Sequence, residues 1–229
     1  MDPIFQPKVA YLEIDLMMFL PTLVLSLLYV RRDYVALMKS IALVSPIYLI
    51  WDYFATLYHS WSFNENYVLG VYVTDLPIEE VMFFFVTPFA TLMIYDFVTR
   101  FEDREIRFVP KVALSLSLTS LILALVTARL SYTSIDLIYL SFSLLITFVL
   151  DRRMLSSLNF WRFIGLSYVP FLVFDYLLTS LPIVEYGRSI TNVRVLTIPI
   201  EDFVYSFSML TFYTLFYRRF KRRERVEQR

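Results

Sequence analysis

The sequence of 229 residues has no cysteine, only three glycines and only one histidine. Without cysteine the chain cannot form disulfides, iron–sulfur clusters, zinc–thiolate sites or a thiol nucleophile. So few glycines and histidines also exclude glycine-rich phosphate loops and multi-histidine metal or haem sites. The formal net charge is +0, so no basic field favours a nucleic-acid partner. We therefore expect neither a bound metal nor a cofactor.

Charged residues are scarce, at 18 %, whereas hydrophobic types reach 58 % and the mean hydropathy is +0.61. This apolar share exceeds that of an average soluble domain. The apolar runs have the length of about 20 residues that a helix needs to cross a bilayer. We therefore predict an all-α, polytopic membrane protein with about seven transmembrane helices. The predicted spans are 10–30, 37–57, 79–99, 108–128, 133–150, 160–180 and 200–217.

The basic residues predict the orientation, because lysine and arginine concentrate in cytoplasmic segments. With the N-terminus outside the cell membrane, only Lys8, Arg129, Arg188 and Arg194 fall on the outer side. The cytoplasmic set is Arg31, Arg32, Lys39, Arg100, Arg104, Arg107, Lys111, Arg152, Arg153, Arg162, Arg218, Arg219, Lys221, Arg222, Arg223, Arg225 and Arg229. We expect an outer N-terminus and a cytoplasmic C-terminus.

Four short segments of the first half recur in the second half in the same order. The two members of each match are 121 to 123 residues apart. The matches are Asp15 and Asp136; Arg31-Arg32 and Arg152-Arg153; Trp51-Asp52-Tyr53 and Phe174-Asp175-Tyr176; and Leu76-Pro77-Ile78-Glu79-Glu80 and Ile198-Pro199-Ile200-Glu201-Asp202. Ordered matches at nearly constant spacing indicate an internal duplication. The chain is predicted to contain two related three-helix units.

The predicted fourth span explains how two such units can share one orientation. Three crossings are an odd number, so two directly joined units would insert in opposite directions, and one extra helix restores the orientation. The predicted organisation is 3+1+3: a first unit at 1–105, a linker helix at 106–130, a second unit at 131–217 and a basic cytoplasmic tail at 218–229.

Each unit places acidic residues from all three of its helices near the outer side. Ionisable groups inside membrane spans are costly, which makes each of them a candidate functional group. The candidate catalytic residues are Asp52, Glu79, Glu80, Asp175, Glu201 and Asp202. Asp15 and Asp136 lie early in the first and fifth spans, where we interpret them as interfacial groups.

Structural roles also fit these acids. A glutamate after Pro-Ile at a helix start can complement the helix dipole or bind a free backbone N–H group. Asp52 and Asp175 could join helices through hydrogen bonds. His59, beside Trp61, is interpreted as an interfacial residue.

Aromatic side chains follow both acidic motifs. They are Phe83, Phe84, Phe85, Phe203, Tyr205 and Phe207. Their rings could stabilise a cation near the carboxyls, or could simply pack.

Paired carboxyls in an apolar site titrate apart, so one can act as an acid and its neighbour as a base. Such a protein could move protons, bind a cation or protonate a lipid-soluble substrate.

The two acidic motifs resemble a motif of a known enzyme family, the membrane-integral lycopene cyclases of archaea, actinobacteria and fungi. That family carries Pro-x-Glu-(Glu/Asp), and this chain has Pro77-Ile78-Glu79-Glu80 and Pro199-Ile200-Glu201-Asp202. In archaea of that family, two three-helix units are fused through an extra span.

The resemblance implies a lycopene β-cyclase, an isomerase of carotenoid biosynthesis that acts without redox chemistry or a cofactor. It implies that the ψ ends of lycopene become β-ionone rings, giving β-carotene through γ-carotene. An acid would protonate the terminal double bond, the ring would close on the resulting cation, and a base would remove a proton. The implied partners are lycopene and membrane lipid. By resemblance, Glu79, Glu80, Glu201 and Asp202 surround the reacting chain end, with Asp52 and Asp175 in support.

Other membrane functions make different demands on the sequence. A seven-helix retinal protein needs a lysine in the middle of its last span, whereas Lys8, Lys39, Lys111 and Lys221 lie at or outside span ends. A proton- or cation-coupled transporter would share the duplicated units and the intramembrane acids. A carotenoid hydratase or a one-ring cyclase would share the carbocation step, and the units could form one composite site or two.

Overall fold

The computed structural model describes the backbone of residues 5–227 and side chains through residue 221. Residues 1–4 of the predicted first unit and 228–229 of the predicted tail lie outside the described residues. The same holds for the side chains of Arg222, Arg223 and Arg225. Within the described range the chain forms seven helices and six short strands.

The helices are α1 (Ala10–Leu28), α2 (Tyr34–Leu57), α3 (Ile78–Val98), α4 (Val109–Val126), α5 (Ser131–Ser156), α6 (Leu158–Ser180) and α7 (Ile200–Glu227). Each predicted span overlaps one of them. Two helices, α5 and α7, end later than predicted. Helix α5 resumes after non-helical dihedral angles at Asp151, and α7 continues through the basic residues, which are good helix formers. The span length reflects apolarity, whereas the helix length also includes these polar turns.

Six short strands were not anticipated by the all-α prediction. They are β1 (Trp61–Phe63), β2 (Tyr72–Val73), β3 (Leu76–Pro77), β4 (Val184–Tyr186), β5 (Arg194–Val195) and β6 (Ile198–Pro199). The β2–β3 hairpin precedes α3, and the corresponding β5–β6 hairpin precedes α7. Strands β1 and β4 pair antiparallel, with Ser62 opposite Glu185, so the α2–α3 connection is joined to the α6–α7 connection.

This pairing explains one of the few glycines. The N–H of Gly187 donates to the carbonyl oxygen of Ser60 at 2.9 Å. A Cβ atom at Gly187 would overlap the carbonyl oxygen of His59, so a larger residue would push the two connections apart.

Helices α3 and α7 lie at the centre of the bundle. Helix α3 packs against α1, α2, α6 and α7, and α7 also packs against α2 and α5. Helix α4 packs along α5 through a row of small buried residues, Ala113, Ser117, Ser120 and Ala124. Small residues at this spacing let helices approach closely, and the Ser117 hydroxyl donates to the Ser141 carbonyl oxygen at 2.8 Å.

Among residues 5–227, six helices, α1 to α6, are long and apolar enough to cross a membrane. Helix α7 is as long but carries more polar side chains, because much of it is buried in protein and not exposed to lipid. Thr211, Tyr213 and Thr214, for example, are fully buried. Large apolar side chains such as Leu27 and Leu28 are two-thirds exposed on the outside of the bundle, as lipid contact requires. The fold is that of a polytopic membrane protein.

Candidate functional site

The first glutamate of each motif binds the loop that precedes its helix. The N–H of Leu69 donates to Oε1 of Glu79 at 2.6 Å, and the N–H of Thr191, 122 residues later, donates to Oε1 of Glu201 at 2.7 Å. Glu201 also accepts from the Thr133 hydroxyl at 2.7 Å. Each glutamate therefore ties a connecting loop to the start of its helix, rather than capping its own helix.

The second acid of each motif accepts a tyrosine hydroxyl. The Tyr11 hydroxyl donates to Oε2 of Glu80 at 2.6 Å, and the Tyr132 hydroxyl donates to Oδ1 of Asp202 at 2.5 Å. Tyr11 and Tyr132 are 121 residues apart, the same offset as Asp15 and Asp136, so these two contacts are equivalent in the duplication. Asp202 has an additional donor, the Tyr186 hydroxyl, at 2.5 Å from Oδ2.

Tyr186 has no equivalent donor in the first unit. The residue that corresponds to it there, 123 positions earlier, is Phe63. Burial raises the pKa of the Tyr186 phenol, and the negative charge of Asp202 raises it further. The neutral phenol is thus favoured to higher pH than in water, and it remains a hydrogen-bond donor to Asp202.

The aspartates of the preceding helices complete two carboxyl pairs. Asp52 lies beside Glu80, and Asp175 lies beside Asp202. Two ionised carboxylates in such contact would repel each other, so each pair needs a shared proton. Asp52 also accepts from the Tyr205 hydroxyl at 3.0 Å, although Tyr205 belongs to the second unit.

One cavity brings the two pairs together. Asp52, Glu80, Asp175 and Asp202 all line it, and its empty volume is about 920 Å³, part of it open to the outside. Most of the wall is apolar or aromatic. We call this space the acid cavity; its aromatic and tyrosine lining includes Tyr11, Trp61, Phe63, Phe83, Tyr132, Phe174, Tyr186 and Tyr205.

Several predicted residues lie elsewhere. Glu79 and Glu201, predicted to surround a reacting chain end, are buried and are not among the residues that line the acid cavity. Of the aromatic residues after the motifs, only Phe83 and Tyr205 line it. The other four, Phe84, Phe85, Phe203 and Phe207, pack against neighbouring rings. His59 is exposed immediately after α2.

Asp15 and Asp136, which the sequence analysis interprets as interfacial groups, are buried among the helices. Each side chain is 1 % exposed, and neither oxygen of either carboxyl has a hydrogen-bond partner. Each lies one helical turn from the tyrosine that binds the second acid of its unit. Burial arises because this face of α1 and of α5 turns toward the central helices, which sequence position alone does not reveal.

Tyr11, Tyr132 and Tyr186 are site residues that the sequence analysis does not predict. Tyr11 and Tyr132 could have been found, because they repeat at the offset of the aspartates that follow them. Tyr186 is not repeated, and only its position in β4 beside Asp202 reveals its contact.

A second cluster of buried charges lies at the other end of the central helices, about 24 Å from Glu80 at 1.5 Å per residue. Asp96 accepts from Arg32 at 3.3 Å, from Lys221 at 2.9 Å and from the Tyr217 hydroxyl at 2.8 Å. We call these four residues the ion-pair cluster. Beside it, Arg218 binds Asp151 at 2.9 Å.

The chain was also compared with known proteins. A family model described as lycopene cyclase matches residues 8–98 and 129–220. These two segments correspond to the two halves of the duplication, and the unmatched residues between them contain α4. Neither the curated proteins nor the solved structures gave a match. The matched segments cover most of the chain and confirm the resemblance in its motifs, so the chain belongs to the lycopene cyclase family, membrane enzymes that form rings on a carotenoid.

Proposed function

We propose that the protein is a lycopene β-cyclase, an intramolecular lyase that converts lycopene to β-carotene through γ-carotene. The observation that carries the proposal is the meeting of two carboxyl pairs, one from each repeat, on the wall of a single apolar cavity. This arrangement suits a substrate that is a hydrocarbon and a reaction whose only chemical requirements are an acid, a base and protection from water.

The reaction begins when a protonated carboxyl of one pair donates its proton to the terminal double bond of a ψ end. A tertiary carbocation forms, and the neighbouring double bond attacks it to close a six-membered ring. A carboxylate then removes a proton from the ring carbon beside the new cation. One proton is consumed and one is returned, so the product is an isomer of the substrate and the balance needs no cofactor.

The surroundings of the pairs support this chemistry. The rings of Trp61, Phe83 and Phe174 line the cavity beside the carboxyls, where their π faces can stabilise the cation. The hydroxyls of Tyr11 and Tyr132 hold Glu80 and Asp202 in place. Glu79 and Glu201 act in this proposal as positioning residues, because they fix the loops above the cavity.

We further propose that the two units form one composite site. Tyr205 of the second unit donates to Asp52 of the first, and Trp61 of β1 is paired with Tyr186 of β4. The wall of the cavity therefore depends on both repeats. In a composite site, replacing the acids of either unit with amides prevents both ring closures.

The proposed organisation remains 3+1+3, with units at 1–105 and 131–217, a linker helix at 106–130 and a basic tail at 218–229. Helix packing supports a twofold relation between the units. The contact of α1 with α3 corresponds to that of α5 with α7, and the contact of α2 with α7 corresponds to that of α6 with α3. The second helix of each unit therefore packs against the third helix of the other unit.

The basic residues support an orientation with the acid cavity toward the outer side and Arg104 toward the cytoplasm. The chain has no cysteine, so a single introduced cysteine reports its own side of the membrane. Arg104→Cys should be protected from an impermeant thiol reagent in intact cells, and Tyr67→Cys should be labelled. Labelling at position 104 would contradict the orientation.

The activity is tested by expression in bacteria that accumulate lycopene, followed by chromatography of the pigments. We expect β-carotene. The Glu80→Gln, Asp202→Asn double variant, recovered from the membrane in equal amount, is the matched control and should leave lycopene unchanged. Lycopene that the parent chain leaves unchanged would contradict the proposal. A hydrated product would identify a hydratase, and a product with one ring would identify a one-ring cyclase.

A further inference from the structure

The acid cavity extends away from the carboxyls on one side of the bundle only. Along α3 its lining runs from Glu80 to Thr91, and along α6 from Asp175 back to Ser167. At 1.5 Å per residue these stretches reach roughly 12–16 Å beyond the carboxyl pairs. This extension is bounded by α1, α3, α6 and α7. We call it the polyene arm and define it by Met18, Thr87, Thr91 and Ser167.

The duplication predicts a second groove of the same kind between α2, α5 and α7. Its residues are found by adding the repeat offset. Met18 corresponds to Tyr139, Thr91 to Tyr213, and Phe83 to Tyr205. On α2, counted from the paired aspartates, Tyr48 takes the place of Phe171. Residues of the acid cavity that are smaller than tyrosine or lack a hydroxyl therefore correspond to tyrosines in the second groove.

The tyrosines fill this second groove. The ring of Tyr48 lies 4.8 Å from that of Tyr139 and 5.3 Å from that of Tyr205, measured between centroids. The Tyr213 hydroxyl is 2.8 Å from the Ser45 hydroxyl, and the Tyr139 hydroxyl donates to the Ile47 carbonyl oxygen at 2.9 Å. Tyr48 and Tyr213 are fully buried. Packed rings with bound hydroxyls leave no room for a chain there.

The polyene arm carries no such packing. Thr87 Oγ1 and Ser167 Oγ are buried without a hydrogen-bond partner, although both residues line open space. The Thr91 hydroxyl donates to the carbonyl oxygen of Thr87, which lies in the same helix. The small side chains therefore make space without using their hydroxyls to join helices.

We infer that the polyene arm holds the linear chain of the substrate while its end reacts at the carboxyl pairs, and that the tyrosine-filled groove admits no chain. The inference rests on the proposed cyclase function and extends it to the direction from which the substrate enters. A single arm means that one end reacts at a time. After the first closure, γ-carotene must leave and return with its other end.

Two variants close the arm. Thr91→Tyr introduces the residue found at the equivalent position, and Ser167→Tyr places a phenol on the opposite wall. Each should lower lycopene turnover at least about 10-fold while sparing a truncated polyene that keeps one ψ end but is too short to reach Thr91. Retained turnover of the short substrate shows that the variant is folded and that its acids are intact.

Matched controls use neighbouring positions. Leu166→Tyr adds the same phenol beside Ser167 at a side chain that is 48 % exposed, and should leave both activities within about twofold. Tyr139→Met converts the filled groove to the residue of the arm, and should also leave lycopene turnover within about twofold. If a tyrosine variant does not accumulate in the membrane, Thr91→Leu and Ser167→Val give a smaller, graded loss on lycopene only.

The outcomes separate the two proposals. If the parent chain does not cyclise lycopene, the proposed function fails. If the parent is active and the arm variants turn over lycopene normally, or lose both substrates equally, the arm is not the binding site. If Leu166→Tyr or Tyr139→Met lowers lycopene turnover as much as the arm variants do, the assignment of the polyene arm is overturned as well.

Release of γ-carotene between the two closures is tested by a chase. An excess of unlabelled lycopene should trap labelled γ-carotene outside the parent enzyme. If the label passes from lycopene to β-carotene during the chase and no labelled γ-carotene accumulates, release between closures is contradicted.

Discussion

Helices α3 and α7 contribute to two buried polar clusters, one at each end, and the carboxyls in the two clusters have different partners. In the acid cavity, Glu80 and Asp202 contact other carboxyls and accept tyrosine hydroxyls. In the ion-pair cluster, Asp96 accepts from Arg32 and Lys221. The charge of a carboxylate between two cations is compensated by those partners. A carboxyl whose partner is another carboxyl must share a proton, and is therefore suited to donate one.

Because the partners differ, we expect substitutions at the two ends of this helix pair to affect different properties, activity at one end and stability at the other. Changes at the acid end should remove activity from a folded protein, whereas changes at the ion-pair end should weaken a protein whose chemistry is intact. The two ends are about 24 Å apart along α3, so their effects should be nearly additive.

The largest effect is expected from Glu80→Gln and from Asp202→Asn. Each replaces a carboxyl that we propose to transfer protons, without changing its shape, so turnover of lycopene should fall about 100-fold or more. If the site is composite, as we propose, chromatography of the pigments should show no accumulation of γ-carotene in either variant. If both single variants still make β-carotene, only more slowly, the two units contain independent sites.

Asp96→Asn should affect stability instead of activity. It leaves the buried Arg32 without its full counter-charge, and breaking a buried pair in this way costs about 3–5 kcal/mol. Thermal unfolding in detergent should shift to clearly lower temperature, while turnover per folded molecule stays within about twofold of the parent. Unchanged unfolding with lost turnover would place a catalytic role at this end.

The tyrosines should have intermediate effects. Tyr11→Phe and Tyr132→Phe each remove a hydrogen bond to a carboxyl, and a bond to a charged group contributes about 1.5–3 kcal/mol, so turnover should fall about 10-fold or more. Tyr186→Phe makes the second unit like the first, where Phe63 stands, and should cost less because Tyr132 still binds Asp202. Equal losses in Tyr132→Phe and Tyr186→Phe would show that Asp202 needs both donors equally.

The smallest effect on turnover is expected from Glu79→Gln and Glu201→Gln. An amide oxygen can still accept the backbone N–H of Leu69 or Thr191, so the loops remain attached. Turnover should stay within about threefold of the parent, measured beside Glu80→Gln and Asp202→Asn as matched changes one residue away. A loss of about 100-fold in both variants would return the first glutamates to the reacting centre.

The sequence by itself determined the seven helices, the duplication and the six acids that meet near one end of the bundle. These features are local or repeated, because apolar run length sets a span and a constant offset reveals a repeat. The motif that resembles the lycopene cyclases is likewise visible in the sequence. The sequence did not anticipate the paired strands, since two- and three-residue strands have no periodicity to detect.

The tertiary structure alone decided which acids face each other. Neighbouring residues on a helix point about 100° apart, so Glu79 faces a loop while Glu80 faces the cavity. It also decided that Asp15 and Asp136 are buried, and that tyrosines fill one of two related grooves. These outcomes depend on how each helix is rotated about its axis against its neighbours, and that rotation is set by the packing of the whole bundle.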